Sequence, residues 1–139
     1  WGEGSCGQLG HGDEQSQWQP KKVEIFAGQH VVRGLCWPAR CRCVGGRRCV
    51  GWRDVHSLAL TADGALWSWG RGDYGKLGHG DQQSQWRPKK IEAFAGQRVV
   101  AVSAGDDHSL ALAADGAFFT WGKGERGCLG HGEDVSNQL

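Results

Sequence analysis

The sequence predicts an all-β protein assembled from repeated units, and three observations support that prediction. The 139 residues include 24 glycines without a Gly-X-Y period, which indicates many tight turns and therefore short strands. No stretch keeps the 3.6-residue apolar period of an amphipathic helix. Long segments of the chain also recur.

The recurring unit is 52 residues long. Residues 56–69 (HSLALTADGALWSW) match residues 108–121 (HSLALAADGAFFTW) at 10 of 14 positions. Residues 1–32 match residues 69–100 at 23 of 32 positions, but the shift here is 68 residues, so the first unit carries 16 extra residues. We therefore divide the chain into a partial repeat (1–32), an insert (33–55), a repeat (56–107) and a truncated repeat (108–139).

The elements of one unit follow each other as loops and strands. A glycine-rich loop follows a Trp-Gly pair at a strand end, as GRGDYGKLGHG does at 70–80. Pro20 and Pro88 precede short strands at 21–26 and 89–94; a proline assigns such a strand to an outer edge, where its missing N–H costs no ladder bond. RVVAVSAG (98–105) is a further strand that the turn Gly-Asp-Asp ends.

A β-hairpin is predicted over residues 108–121, because apolar arms lie on both sides of Asp115-Gly116. Gly116, like Gly64 one unit earlier, supplies the positive φ that the turn requires. Four short strands in each unit are typical of a β-propeller blade, whose faces are buried against neighbouring blades.

The repeat resembles that of the regulator of chromosome condensation family. The resemblance rests on WG-x-G-x-x-G-x-LG-x-G, a proline about ten residues on, and V-x-x-V-S-A-G-x-x-H-S-L-A-L-x-x-D-G-x-x-x-x-W-G, and it covers residues 1–32 and 56–139. It implies a propeller closed by seven blades, of which this chain supplies about two and a half. Because the chain starts mid-blade at Trp1 and contains no Met, we expect it to be a fragment of a longer protein. The predicted structural residues are Gly70, Gly72, Gly75, Leu77, Gly78, His108, Asp115, Gly116 and Trp121.

The glycine loop can also be interpreted as a binding motif. Gly70, Gly72 and Gly75 fit the dinucleotide pattern G-x-G-x-x-G, but that site needs a helix directly after the glycines, and the following Leu-Gly-His-Gly would break one. The adhesion tripeptide Arg71-Gly72-Asp73 occurs in only one of three copies. We therefore predict that the loop binds no cofactor. Its glycines let the chain turn sharply, and Leu9, Leu77 and Leu129 are predicted to fill the core.

The histidines fall into two periodic sets, one at the hairpin start (His56 and His108) and one closing the loop (His11, His79 and His131). They could be metal ligands, or a general base near Ser57 or Ser109 and Asp106 or Asp107. Catalysis needs one asymmetric constellation, whereas these groups recur one blade apart. We therefore predict that they tie strands together, and that the chain has no catalytic residue and no metal ligand.

The insert, RGLCWPARCRCVGGRRCVGWRDV, holds six arginines and stands where the later unit has AVSAGDD. We predict that it is irregular and removes one inner strand. Three interpretations stay open: a zinc site, a phosphate or nucleic-acid contact made by arginines beside Trp37 and Trp52, or a segment from a retained intron or frameshifted gene. The cysteines of the zinc interpretation are Cys36, Cys41, Cys43 and Cys49.

Residues 51–56 (GWRDVH) partly match the Gly-Trp-Arg-His-Thr pattern of one branch of this family, the plant ultraviolet-B photoreceptor, whose chromophore is tryptophan. Two residues intrude before His56, and packing in the core and at edges accounts for the tryptophans.

The composition limits the partners. A net charge of +1 gives no field that would draw nucleic acid or a membrane, and no apolar run approaches the ~18 residues of a membrane span. Cys6 and Cys128 do not recur between copies, so no disulfide framework is predicted and an intracellular setting, cytoplasmic or nuclear, is expected.

The resemblance implies a non-catalytic module for protein–protein interaction. Loop residues that vary between copies are the predicted contacts, namely Asp73, Tyr74, Glu125 and Arg126. Two alternatives stay open: a guanine-nucleotide exchange factor for a Ran-like small GTPase that also binds chromatin, and the repeat array of a HECT-type ubiquitin ligase. The partner would accordingly be a protein, such as a small GTPase or a chromatin protein.

Overall fold

The computed structural model describes residues 5–37 and 55–131, except the side chains of Cys36, Trp37 and Arg126. This part of the chain contains no α-helix, which confirms the all-β prediction. Short 3-10 turns lie at Glu24–Phe26, Asp73–Gly75, Glu92–Phe94 and Glu125–Gly127. The strands are β1 (Val31–Trp37), β2 (His56–Thr61), β3 (Leu66–Gly70), β4 (Gln85–Lys90), β5 (Val99–Ala104), β6 (His108–Ala113) and β7 (Phe118–Gly122).

The strands form two antiparallel sheets that correspond to successive blades. The first blade has the order β1-β2-β3-β4 and the second β5-β6-β7. The central pairing has the same register in both blades, with Ser57 opposite Trp69 and Ser109 opposite Trp121. The repeat seen in the sequence is therefore a repeat of backbone pairing, and the predicted hairpin is confirmed.

The hairpin turns follow from their Asp-Gly pairs. Gly64 and Gly116 have φ of 86° and 90°, in the region that the turn requires. The carboxylate of Asp115 accepts a hydrogen bond from the backbone N–H of Ala117 at 3.0 Å, so the side chain stabilises its own turn.

Glycine is required where each hairpin's return strand ends. Gly122 has a φ of 106°, and a Cβ there would lie 2.4 Å from the carbonyl oxygen of Asp107. Gly70 repeats this geometry with a φ of 101° and a Cβ position 2.7 Å from the carbonyl oxygen of Val55. The Trp-Gly pair therefore marks the point where the chain leaves the sheet beside the start of the hairpin.

The predicted loss of an inner strand is wrong for residues 33–37. These residues complete β1, which pairs with β2 up to the match between Trp37 and His56. Ladder hydrogen bonds are made by the backbone, so the change of side chains from AVSAG does not prevent pairing. Residues 38–54 of the insert, including Cys41, Cys43, Cys49 and Trp52, lie outside the described residues.

The outer strand lies earlier than predicted. The strand is β4, and residues 92–94 form a 3-10 turn instead of extending it. The chain bends there because the N–H of Ile91 bonds to the carbonyl of Leu66 and buries the isoleucine side chain completely. Pro88 does lie on the edge strand of its sheet, as predicted, next to a register shift.

The hydrophobic core lies mainly between the two blades. Phe94, which follows the first blade's outer strand, meets Phe119 of the second blade edge-on at 5.2 Å between ring centroids. Phe26 meets Trp67 in the same way at 5.5 Å. The main buried cluster is Leu58, Leu60, Leu66, Ile91, Phe94, Val99, Val102, Ala111 and Trp121.

The outer face of the second blade is uncovered within the described residues. Phe118 is 64% exposed, whereas Leu66, at the same position in the first blade, is fully buried. Trp18 is 93% exposed, whereas its counterpart Trp86 is 39% exposed and lies against Gly7. The position of Phe118 is covered by the neighbouring blade where Leu66 occupies it, and the position of Trp18 is partly covered by the Gly7 loop where Trp86 occupies it.

Candidate interaction surface

The blades are joined by one backbone carbonyl in each loop. The carbonyl of Lys76 accepts hydrogen bonds from Ser109 Oγ at 2.9 Å and from Trp121 Nε1 at 3.0 Å, both in the second blade. The carbonyl of Gln8 accepts the equivalent bonds from Ser57 at 3.0 Å and Trp69 at 2.8 Å. The second blade therefore holds the loop of the first in place.

His56 extends this network. Its Nε2 lies 2.8 Å from Ser109 Oγ, and because the serine hydroxyl donates its only proton to Lys76, Nε2 must be the donor. The Nδ1 atom is buried without a partner among the described residues, so a second proton there would be unsatisfied and the imidazole is neutral. Burial, with the positive charges of Lys76 and His108 adding to it, lowers the pKa of His56 to about 3.

This His-Ser pair resembles a catalytic pair in distance only. A nucleophile must reach a substrate, but Ser109 and His56 are both fully buried. A general base must accept a proton near neutral pH, which the lowered pKa of His56 prevents. The pair is a structural bond between blades.

Ser109→Ala is expected to lower the free energy of unfolding by about 2 kcal/mol, because it leaves the Nε2–H of His56 buried without an acceptor. Ser57→Ala is the matched control: its hydroxyl has one described bond, to Gln8, and about 1 kcal/mol is expected. Urea denaturation of the full-length protein measures both, and equal losses would contradict the role assigned to His56.

The second set of histidines closes the glycine loops. Ser68 Oγ donates to the carbonyl of Leu77 at 2.6 Å and lies 3.0 Å from His79 Nε2. Thr120 and His131 repeat this arrangement in the second blade, 2.8 Å apart. Burial, followed by the charge of Lys89, lowers the pKa of His79. Leu77 and Leu129 are buried and Leu9 is half-buried.

The other predicted structural residues lie in these same loops or, for His108, at the start of a strand. Gly72 approaches the backbone of Gln83, and its N–H bonds to Ser84 Oγ at 3.2 Å. Gly78 packs under the indole of Trp121. Gly75 has a φ of 72°, and His108 begins β6 with its backbone opposite Gly122.

The predicted contact residues partly come together. Tyr74 lies on the first blade's loop with its ring 4.7 Å below the ammonium group of Lys123, and Lys123 also pairs with Glu125 at 3.2 Å. The bond to Glu125 raises the pKa of Lys123. Asp73 instead pairs with Arg71 in its own loop. We call Asp73, Tyr74, Lys123 and Glu125 the loop face. Arg126 has its backbone in the adjacent turn, and its side chain is outside the described set.

Sequence reasoning missed Lys123. Its counterparts in the other copies are Glu3 and Arg71. The change of charge between copies at this position is the sequence feature that could have identified it as a contact residue. Beside the loop face lies a cleft of about 330 Å³ lined by Asp106, Asp107, His108, Lys123, Glu125 and Cys128.

Residues 5–37 and 55–131 contain no group of three histidine, cysteine or carboxylate side chains that could hold a metal ion. Over the same ranges, Cys6 and Cys128 form no disulfide. The zinc and arginine interpretations fall mostly on residues outside the described part of the chain. No helix in the described part is long and apolar enough to cross a membrane.

Blades joined through their loop carbonyls define a repeat module of the β-propeller class. The chain belongs to the regulator of chromosome condensation (RCC1) repeat family: residues 1–36 and 63–112 match one profile of the RCC1 repeat, and residues 99–128 match a second. The resemblance found in the sequence is thereby confirmed.

The relatives that match nearly the whole chain include a ubiquitin ligase and a photoreceptor. The E3 ubiquitin-protein ligase HERC2 of Homo sapiens is 43% identical over 135 residues, which is 97% of this chain and 2% of the ligase. The ultraviolet-B receptor UVR8 of Arabidopsis thaliana is 35% identical over 133 residues, or 96% of this chain and 27% of the receptor. The chain thus spans only a small part of either relative.

Two solved structures of one yeast protein share the fold. Prp20p of Saccharomyces cerevisiae, described with its binding properties to Gsp1p and histones, is 30% identical with a TM-score of 0.53, over 60% of this chain and 22% of that chain. The structure of Kap60 bound to yeast RCC1 (Prp20) gives a TM-score of 0.63 at 22% identity, over 100% of this chain and 32% of that chain, which supports the fold alone.

Proposed function

We propose that this chain is a non-catalytic module of an intracellular propeller protein, cytoplasmic or nuclear, and that its loop face binds a protein partner. The observation that carries the proposal is the conformation of Tyr74. It is the one non-glycine residue with a positive φ in the described part of the chain, at 61°.

That conformation costs about 1–2 kcal/mol for an L-residue. The other copies of the repeat have Cys6 and Arg126 at the position of Tyr74, so the repeat does not require a tyrosine there. Tyr74 is half-exposed, and Lys123 holds its ring from the neighbouring blade. A rigid aromatic ring surrounded by charges has the character of an interface hot spot. Strain of this kind concentrates at functional sites.

The scaffold beneath the loop face supports a binding role. Ser109, Trp121 and the carbonyl of Lys76 hold neighbouring loops at a constant spacing, while the residues on top of them differ between copies. A surface held rigid in this way loses little entropy when a partner binds.

The partner that we propose is a small GTPase or a chromatin protein. The similarity to Prp20p, whose structure is described with binding to Gsp1p and histones, supports this class. Nucleotide exchange is the alternative activity for a GTPase partner. The similarity to HERC2 equally supports the repeat array of a ubiquitin ligase, whose catalytic part would lie outside this chain.

Binding of the full-length protein to Gsp1p, nucleotide-free and GTP-bound, and to purified histones tests the proposal. We expect Tyr74→Asn combined with Glu125→Gln to weaken one of these complexes about tenfold or more, since asparagine tolerates the positive φ and removes only the ring. Glu92→Gln is the control, an exposed carboxylate near the opposite end of β3.

Three outcomes decide between the alternatives. Equal effects of the loop-face and control variants, or no binding to either probe, would contradict the proposed surface and partner class. Release of labelled GDP from Gsp1p that is accelerated by the protein would support exchange. Ubiquitin transfer by the full-length protein would support the ligase alternative.

A further inference from the structure

We propose that Lys76 and Asp107 form a specificity-determining ion pair that decides which blade can pack behind which. Two positions carry the inference. One is the loop position, occupied by Gln8, Lys76 and Cys128 in the three copies, and the other is the pre-histidine position just before each hairpin, occupied by Val55 and Asp107.

At the interface between the two described blades, the two positions carry opposite charges. Lys76 Nζ lies 3.0 Å from Asp107 Oδ1 and 3.4 Å from the carbonyl of Asp106. The lysine side chain is fully buried, and that of Asp107 is 23% exposed. The ammonium group of one blade is therefore neutralised by a carboxylate of the next, which a charge in that environment requires.

At the preceding interface, the same two positions carry no charge. Gln8 is 6% exposed and Val55 is 2% exposed. The side-chain oxygen of Gln8 accepts a hydrogen bond from the N–H of Cys6 at 2.8 Å, so this acceptor is satisfied inside its own loop. In the described part of the chain, these two positions are thus neutral at one interface and oppositely charged at the other.

Exchanging the blades would combine mismatched residues. A lysine at the loop position beside Val55 would be buried without the carboxylate that Asp107 supplies to Lys76, which is costly enough to disfavour that order. The hydroxyl groups of Ser57 and Ser109 donate to the loop carbonyl in the same way at both interfaces, so these bonds hold blades together without distinguishing them. The side chains at the two variable positions are left to select the neighbour.

The same rule describes the blade that fits the uncovered face. Cys128 holds the loop position there and lines the cleft beside His108. With no ammonium group to neutralise, a blade that packs on this face should carry an uncharged, valine-like residue at its pre-histidine position.

A double-mutant cycle in the full-length protein tests the pairing. Asp107→Val should raise the equilibrium constant for unfolding most, because it leaves a buried ammonium group without its carboxylate. Lys76→Gln combined with Asp107→Val recreates the neutral pair found at the preceding interface. We expect the two changes to be coupled by about tenfold or more in that constant. If the double variant folds while the Asp107→Val variant does not, the coupling is shown directly. Additive effects of the two changes would overturn the proposal.

Transplanting the pair tests whether it selects a neighbour. Gln8→Lys should destabilise the protein, and adding Val55→Asp should recover stability by about tenfold in the same constant. Lys22→Gln, which removes an exposed ion pair with Glu24, is the control and should change little. If Gln8→Lys with Val55→Asp is no more stable than Gln8→Lys alone, the pair does not determine blade order.

Discussion

Gly122→Ala is expected to destabilise the protein by about 3 kcal/mol, the sum of a left-handed backbone and a steric overlap. The φ of 106° is unfavourable for alanine, and the new Cβ would lie 2.4 Å from the carbonyl of Asp107 and 2.8 Å from the Cα of His108. Because both contacts are with backbone, relief requires β6 and β7 to separate. Urea denaturation followed by tryptophan fluorescence measures the loss.

Gly116→Ala separates the two contributions. Its φ of 90° is similar, but no atom lies within 4 Å of the Cβ position, so only the conformational cost of about 1–2 kcal/mol applies. A Gly122→Ala variant no less stable than Gly116→Ala would show that the strand end can open without cost, contrary to the geometry.

Acid is expected to unfold the protein well above the pH at which carboxylates titrate. The unfolded chain protonates His56 near its ordinary pKa of 6.5, whereas the folded chain does so only at about 3. The unfolded state therefore binds the extra proton throughout this window, so stability is complete above pH 6.5 and falls as the pH decreases. One such proton costs about 1.4 kcal/mol per pH unit.

His79 adds to the same trend, because burial also lowers its pKa. Asp63, whose pKa is lowered by its bond to Thr61, contributes only below its ordinary value of 3.8, so the interval from pH 6.5 to 4 reports on histidines. His56→Gln should be less stable at pH 7 but should show a shallower pH dependence in that interval. An unchanged slope, measured by denaturation at a series of pH values, would show that His56 does not cause the effect.

The sequence by itself determined the parts of this protein that depend on local backbone geometry. The Asp-Gly pairs at the hairpins and the Trp-Gly pairs at strand ends are visible because only glycine satisfies those dihedral angles and contacts, whatever lies around them. Repetition of these marks was enough to establish the blade and its family. The predicted contact residues were chosen by the opposite feature: they are loop positions at which the copies of the repeat differ.

Only the tertiary structure decided the outer strand, the inner strand and the ion pair between blades. Pro88 suggested a strand after it, but burial of Ile91 ends the strand at Lys90. Residues 33–37 lack the family's side chains, yet they pair because β2 offers its backbone. Lys76 and Asp107 are 31 residues apart, and nothing local links them. Each outcome depends on which atoms face one another across a sheet or a blade interface, and a linear pattern does not contain that information.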